Sequence, residues 1–203
     1  MKRTIQIIVQ VLFLILFTAL VITGKVQIWM AIFVASVLLS MLFSRFYCGW
    51  ICPINTVIKP ITYLKKKLRI KSLKTPSFLK NGVVRIIVLA AFLALMAMVF
   101  RTGKKLPVLP ALVGIGFFFS LFFEEALWHH WLCPYGAILS LPSRAARKAM
   151  VIDPNLCTNC TRCAKVCPSQ AIVKEEKHRI IKNECLVCGA CERVCTKGAI
   201  KYR

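Results

Sequence analysis

Eleven cysteines carry the reactive chemistry of this chain, and eight of them fall in one stretch. Cys157, Cys160, Cys163 and Cys167 run at x2, x2 and x3 spacing ahead of Pro168, and Cys185, Cys188, Cys191 and Cys195 repeat that spacing. This is the run by which bacterial proteins ligate [4Fe–4S] cubanes. Three closely spaced thiolates wrap one face of a cubane, and the fourth, on a short helix, reaches the neighbouring one. The crossed scheme assigns Cys157, Cys160, Cys163 and Cys195 to one cluster, and Cys185, Cys188, Cys191 and Cys167 to the other. Zinc sites would use pairs of Cys-x2-Cys rather than triplets with a trailing cysteine. A disulfide framework would need an oxidising compartment, which the topology below argues against. Thr196 stands where a second proline often follows such a run; it alters the local turn and leaves the thiolates in place.

The other three cysteines form a second pattern. Cys48-x3-Cys52-Pro53 closes one apolar run, and His129-x3-Cys133-Pro134 closes another. Residues four apart share a helix face, and a proline disfavours helix at the residue before it, so each helix frays near its last cysteine. Two readings stand. In one, the cysteines are buried apolar groups and Trp50, Trp128 and Trp131 are interfacial aromatics. In the other, Cys48, Cys52, Cys133 and His129 hold a further iron or iron–sulfur centre, or Cys48 and Cys52 form a redox-active thiol pair. Glu124 and Glu125 interrupt the run before His129, where a carboxylate is costly and therefore a functional candidate. Glu125, His129 and Cys133 follow at helical spacing, so Glu125 and His129 are candidate proton acceptors for a quinol. The competing reading pairs the glutamates with nearby lysines or with solvent. The histidines argue against a bis-histidine haem: they are His129, His130 and His178, two of them adjacent and the third in the ferredoxin-like part.

The elements that must position these groups are read from hydropathy. Of 203 residues 58% are hydrophobic and the mean hydropathy is +0.69, too apolar for an ordinary soluble domain. Ile5–Thr23, behind Met1-Lys2-Arg3, is an unbroken apolar run of bilayer length. It reads as an uncleaved first span, since no small-x-small site follows and a second span begins at once. Residues 26–46, 83–100 and 108 to about 131 make three further spans. Ile58 to Ile70 reads as a basic amphipathic helix in the interface, residues 71–81 as loop, and residues 137–148 as a short basic helical connector. The expected fold is therefore a membrane all-α domain of four transmembrane helices (residues 1–149), followed by a small α+β, ferredoxin-like 2[4Fe–4S] domain (residues 150–203). The internal repeat of the latter predicts two short hairpins and two short helices, with strands near 151–152, 171–173, 179–181 and 199–201.

Net charge is +22, from 29 Lys and Arg against 7 Asp and Glu. Such a balance can signal nucleic acid, but here the charge flanks apolar runs and reads as membrane edge facing anionic lipid, with no nucleic-acid partner. Lys2, Arg3, the basic middle loop and Arg144, Arg147 and Lys148 lie on one side of the four spans, against Lys25, Arg101, Lys104 and Lys105 on the other. The positive-inside rule then puts both termini in the cytoplasm of a prokaryotic inner-membrane, multi-pass protein, on the reducing side that iron–thiolate chemistry suits.

The motif Cys48-Gly-Trp-Ile-Cys-Pro53, Cys133-Pro-Tyr-Gly136, the paired cubane runs and the four spans together resemble the membrane-bound polyferredoxins related to NapH and to the C-terminal half of NosR. His129 stands where that family usually has the first cysteine of its second Cys-x3-Cys-Pro. The resemblance implies electron transfer between the quinone pool and a partner redox protein, often a reductase. A maturation factor that reduces a metal ion or disulfide for another metalloenzyme is the alternative, with Cys48 and Cys52 as working thiols. A redox-sensing regulator is a third reading.

Overall fold

The computed structural model describes residues 3–102 and 107–203, apart from the side chain of Phe100. Lys2, Lys104 and Lys105, which enter the charge argument, lie outside the described residues. The chain divides into two compact units, Met1–Cys52 with Leu139–Arg203, and Pro53–Ile138. The change in composition at residue 150 falls inside the first unit.

In the first unit, α1 (Arg3–Ile22) and α2 (Val26–Phe43) are joined by a turn at Gly24. Both are long and apolar enough to cross a membrane. The α1 run is not unbroken: Gln6 and Gln10, one turn apart and so on one face, are buried. Phe17 meets the edge of Trp29 across the two helices, and Trp29 Nε1 donates to Tyr47 Oη at 3.0 Å. Ser44, at φ 59°, breaks α2 and starts the short helix α3 (Phe46–Trp50). The second span is thus shorter than its hydropathy implied, because a left-handed residue turns the chain before Arg45.

The C-terminal part of this unit is built from β1 (Met150–Ile152), α8 (Arg162–Lys165), β2 (Ile172–Lys174), β3 (His178–Ile180), α9 (Ala190–Val194) and β4 (Ile200–Tyr202). β2 and β3 form one antiparallel hairpin, Ile172 opposite Ile180. β1 and β4 pair antiparallel across the whole module, Met150 opposite Tyr202. One hairpin and one closure of the module's ends therefore replace the two expected hairpins. Met150, Ile152, Ala171, Ile180, Val187 and Ile200 pack with Cys163, Cys185 and Cys191 as its core. The module is fastened to the C-terminal end of α2. Lys148 N–H donates to Leu42 O at 2.8 Å, Ser44 Oγ to Lys182 O at 2.8 Å and Tyr202 Oη to Phe43 O at 3.4 Å. The bonds to Leu42 O and Phe43 O satisfy carbonyls that a helix end leaves open.

The second unit holds α4 (Pro53–Lys67), α5 (Gly82–Thr102) and α6 (Val108–Phe122), then a π-helical turn at Leu127–Leu132. α7 (Pro134–Ser140) leads out of it. Within α5, Gly82–Val99 is long and apolar enough to cross a membrane, the third such helix among the described residues; α6 is an apolar helix of 15 residues. The fourth span does not continue as helix to Trp131. Phe123 is extended (φ −103°, ψ 172°), and the chain there pairs with the loop after α4: Leu73 N–H donates to Phe122 O at 2.9 Å and Glu124 N–H to Leu73 O at 3.1 Å. Buried Lys65 on α4 donates to Ser120 O at 3.2 Å and Phe123 O at 3.4 Å, capping the last turn of α6. A lysine at a helix C-terminus meets both the open carbonyls and the negative end of the dipole.

Candidate iron–sulfur sites

Two cavities open in the C-terminal module. Cys167, Cys185, Cys188 and Cys191 line one, with Pro168 and Gly189. Cys157, Cys160, Cys163 and Cys195 line the other, with Thr161 and Lys197. Each set takes three cysteines from one run and the trailing cysteine of the other. The backbone repeats as the cysteines do. Asn159, Thr161 and Gln170 have φ of 54°, 61° and 51°, and the offset that carries Cys157 to Cys185 carries them to Val187, Gly189 and Gly198, at 52°, 65° and 62°. These left-handed residues fold each run into a loop around its cavity. Amides point at sulfur: Ala171 N–H lies 3.3 Å from Cys167 Sγ and Val187 N–H 3.4 Å from Cys185 Sγ. Such bonds stabilise added negative charge on a cluster.

Burial pushes the Cys185 thiol up to about 12, and neighbouring Cys188 and Cys167 add to it. Burial likewise raises Cys191, followed by the charges of Cys185, Cys188 and Cys167. Burial also raises Cys163, where Cys157 and Cys160 add smaller contributions. Exposed Cys160 is lowered, chiefly by the backbone N–H of Arg162. Buried thiols crowded together resist ionisation until a cationic core supplies the missing positive charge. The residues present thus fit a [4Fe–4S] core in each cavity. None of the eleven cysteines is joined in a disulfide. Among the described residues no three His, Cys, Asp or Glu side chains gather as ligands of a single metal ion. A cubane asks for a wider set, one thiolate to each iron at its corners.

The first Cys–Pro motif packs on the second of these loops. Gly49 in α3 lies so close to Leu186 that a Cβ there would stand 2.1 Å from Leu186 O. Trp50 Nε1 donates to Val187 O at 3.1 Å. The Gly49 carbonyl accepts from Gln6 Nε2 at 3.0 Å and Gln10 Nε2 at 2.7 Å, which accounts for two glutamines inside an apolar helix. Arg45 and Glu184, about 1% and 6% exposed at the side chain, form a buried ion pair at 3.0 Å. Arg45 also donates to Cys48, whose thiol burial nevertheless raises. Gln6, Gln10, Arg45 and Glu184 were not among the sequence candidates. The glutamines carried a signal, a polar i,i+4 pair in an apolar run; the ion pair carried none, since its partners are remote in the chain.

The second motif lies in the other unit, and its residues are placed there. Cys133 N–H donates to Trp128 O at 2.8 Å, the i→i+5 bond of the π turn, and Pro134 opens α7. His129 is buried and Cys133 Sγ accepts from Gly136 N–H at 3.4 Å. The helical stripe expected through Glu125, His129 and Cys133 is wound as a π turn over its second half. Glu125 accepts from Thr62 and lies in the field of Lys66, Lys59 and Lys65, all on α4. An apolar cavity between α5, α6 and the π turn is lined by Phe92, Val108, Leu112, Phe119 and Trp128, and the buried Trp128 indole N–H has no acceptor among the described residues. Cys48 and Cys52 belong to the first unit, His129 and Cys133 to the second.

Comparison with known proteins bears on both parts. A family model described as a 4Fe-4S binding domain matches residues 26–71 and again 106–152, taking in both Cys–Pro motifs. A 4Fe-4S dicluster domain matches residues 149–196. The ferredoxin-type protein NapH of Haemophilus influenzae is 28% identical over 186 residues, covering 80% of this chain and 63% of NapH. The methylamine utilization ferredoxin-type protein MauN of Methylobacillus flagellatus is 29% identical over 64% of this chain and 50% of its own. The regulatory protein NosR of Pseudomonas aeruginosa is 28% identical over 72% of this chain and 23% of its own. The chain therefore spans less than two thirds of each of these three relatives. No solved structure matches it. Two cysteine-lined cavities, three membrane-length helices and these matches together support a likeness to the membrane-associated 4Fe–4S polyferredoxins.

Proposed function

We propose that this protein carries single electrons through iron–sulfur clusters at the prokaryotic inner membrane, between the quinone pool or a low-potential donor and a partner redox enzyme. One observation supports it above others: the cavities at Cys157/160/163/195 and Cys167/185/188/191 divide the cysteines as two crossed [4Fe–4S] sites require. Those sites share a compact unit with α1 and α2, so the electron path begins at a membrane helix end. In this reading residues 1–149 form a four-span domain, with α6 as a short fourth span, and residues 150–203 the cluster domain. The charge pattern puts both termini in the cytoplasm. When bound, the clusters supply one-electron transfer; the protein holds them, shields them and sets their potentials through hydrogen bonds and charge.

With quinol as donor, the apolar cavity beside Trp128 is the proposed binding place, and Glu125 and His129 the proposed proton acceptors. The maturation alternative has less support: Cys48 and Cys52 are buried, and a thiol raised by burial is a poor attacking group. Iron and sulfide analysis of the anaerobically purified protein in detergent, with EPR before and after quinol or dithionite, is the test. About eight irons per chain and reducible cubane signals are expected; a colourless or zinc-loaded protein, or clusters inert to every donor, would reject it.

A further inference from the structure

The two cluster sites are near-copies in backbone and in cysteine spacing, so any difference in their redox behaviour must come from what surrounds them. The clearest difference falls just before the first cysteine of each run. The offset that takes Cys157 to Cys185 takes Leu156 to Glu184. Leu156 is 48% exposed, whereas Glu184 is 5% exposed and ion-paired to Arg45. Charged residues around the first site, Arg162 and Lys197, are exposed, and water and salt screen them. The second site has exposed charges too, Lys182 and Arg193, but the Arg45–Glu184 pair beside it is buried, where screening is weak. Arg45 is fixed there from both sides: Ser44 Oγ holds Lys182 O, and the Gly49 backbone rests on Leu186 O, one residue past Cys185.

We propose that Arg45 and Glu184 hold opposing buried charges over the cluster at Cys167, Cys185, Cys188 and Cys191 and not over its twin, so that removing either one alone moves the reduction potential of that cluster only. The inference rests on the two-cluster reading above. Arg45 and Glu184 are positioning residues: neither ligates iron. As a pair they nearly cancel, and each alone leaves a buried, uncompensated charge near Cys185, which Glu184 precedes in the chain and Arg45 reaches through space. Arg45→Met leaves the carboxylate and disfavours the added electron. Glu184→Gln leaves the guanidinium and favours it. The double variant removes both charges, so its effect is far smaller than either single one.

Potentiometric EPR titration with dithionite, on the full chain in detergent, reads this directly. Two midpoints are expected in the wild type. Arg45→Met should shift one of them negative, Glu184→Gln should shift the same one positive, the double variant should bring it back near its starting value, and the other midpoint should hold throughout. Single variants that shift a midpoint in the same direction, that move both midpoints equally, or that move neither would overturn the proposal. If Arg45→Met fails to assemble the second cluster, Glu184→Gln and Arg45→Lys decide: an unmoved midpoint in Glu184→Gln overturns it, as does loss of that cluster from every variant, which an architectural latch would explain. Failure of the underlying reading would look different, as wild-type iron well below about eight per chain before any substitution is made.

Discussion

In the first Cys–Pro motif, Cys52 N–H reaches back to Tyr47 O; in the second, Cys133 N–H reaches back to Trp128 O, also five residues away. Each cysteine precedes a proline that opens the next helix, where a missing N–H costs nothing. The frames match, and the side chains on them do not. Cys48 and Gly49 in the first become His129 and His130 in the second. Glycine allows α3 to lie with its backbone against the Leu186 carbonyl, an approach that any side chain at that position forbids. The second motif, with an imidazole there, cannot make that contact; its buried neighbours are a tryptophan and an apolar cavity. A shared backbone device has thus been turned to two surroundings, one a cysteine-bearing loop and the other an apolar cavity.

Placing a large side chain at Gly49 should break the comparison most. Gly49→Leu drives carbon into the Leu186 carbonyl, a backbone atom that cannot swing aside, and should cost about 3 kcal/mol together with loss of iron from the second site. His130→Ala, the matching change in the other motif, should cost about 1 kcal/mol or less. Thermal unfolding and iron content of the two purified variants check this, and equal effects would count against the docking.

Removing both glutamines beneath Gly49 comes next. Gln6→Leu with Gln10→Leu leaves the Gly49 carbonyl buried without these donors and should destabilise by about 2 kcal/mol, seen as a lowered unfolding midpoint in detergent. In the other unit, Lys65→Met strips a donor from the Ser120 and Phe123 carbonyls and should cost roughly 1–2 kcal/mol. Its signature is faster proteolysis at the α6 break, with the cluster spectrum unchanged.

The smallest effect is one of pH. Burial takes Cys185, under the first motif, from 9.0 to about 12. Its folded value lies above its unfolded one, so the unfolded chain releases the proton first. Stability of the metal-free protein should therefore begin to fall as pH rises past 9, by roughly 1 kcal/mol at pH 10. The iron-loaded protein, its thiolates already ionised, should lack this slope; chemical unfolding at pH 8 and pH 10 compares the two.

The grouping of the eight cysteines around two cavities was legible because ligand spacing is a local code. Strand positions were legible within about a residue because the apolar pairs flank those cysteines at fixed distance. What eluded the sequence was non-local. Hydropathy carried the fourth helix through Phe123, since it registers apolar side chains and not the pairing of Phe122 and Glu124 with Leu73; the adjacent glutamates were the available warning. The second span ran too far for a related reason, as nothing in Phe43-Ser44-Arg45 announces a left-handed serine. Arg45 fell inside the expected second span, and only the fold brings Glu184 to it. The expected pairing of strands as two hairpins followed the sequence repeat, but the module closes its ends on each other instead.

Val187 is an uncomfortable residue in its position. A β-branched side chain at φ 52° is strained, and its buried methyls in the module's core give back what that geometry takes. Its counterpart Asn159 sits in the same torsion without that conflict. The ancestry of the two halves is therefore written more faithfully in dihedral angles than in letters: three matched pairs of torsions persist where the amino acids differ at every one. Replacing Val187 with glycine would relax the turn and hollow the core at once, so the module cannot shed its inherited strain one residue at a time.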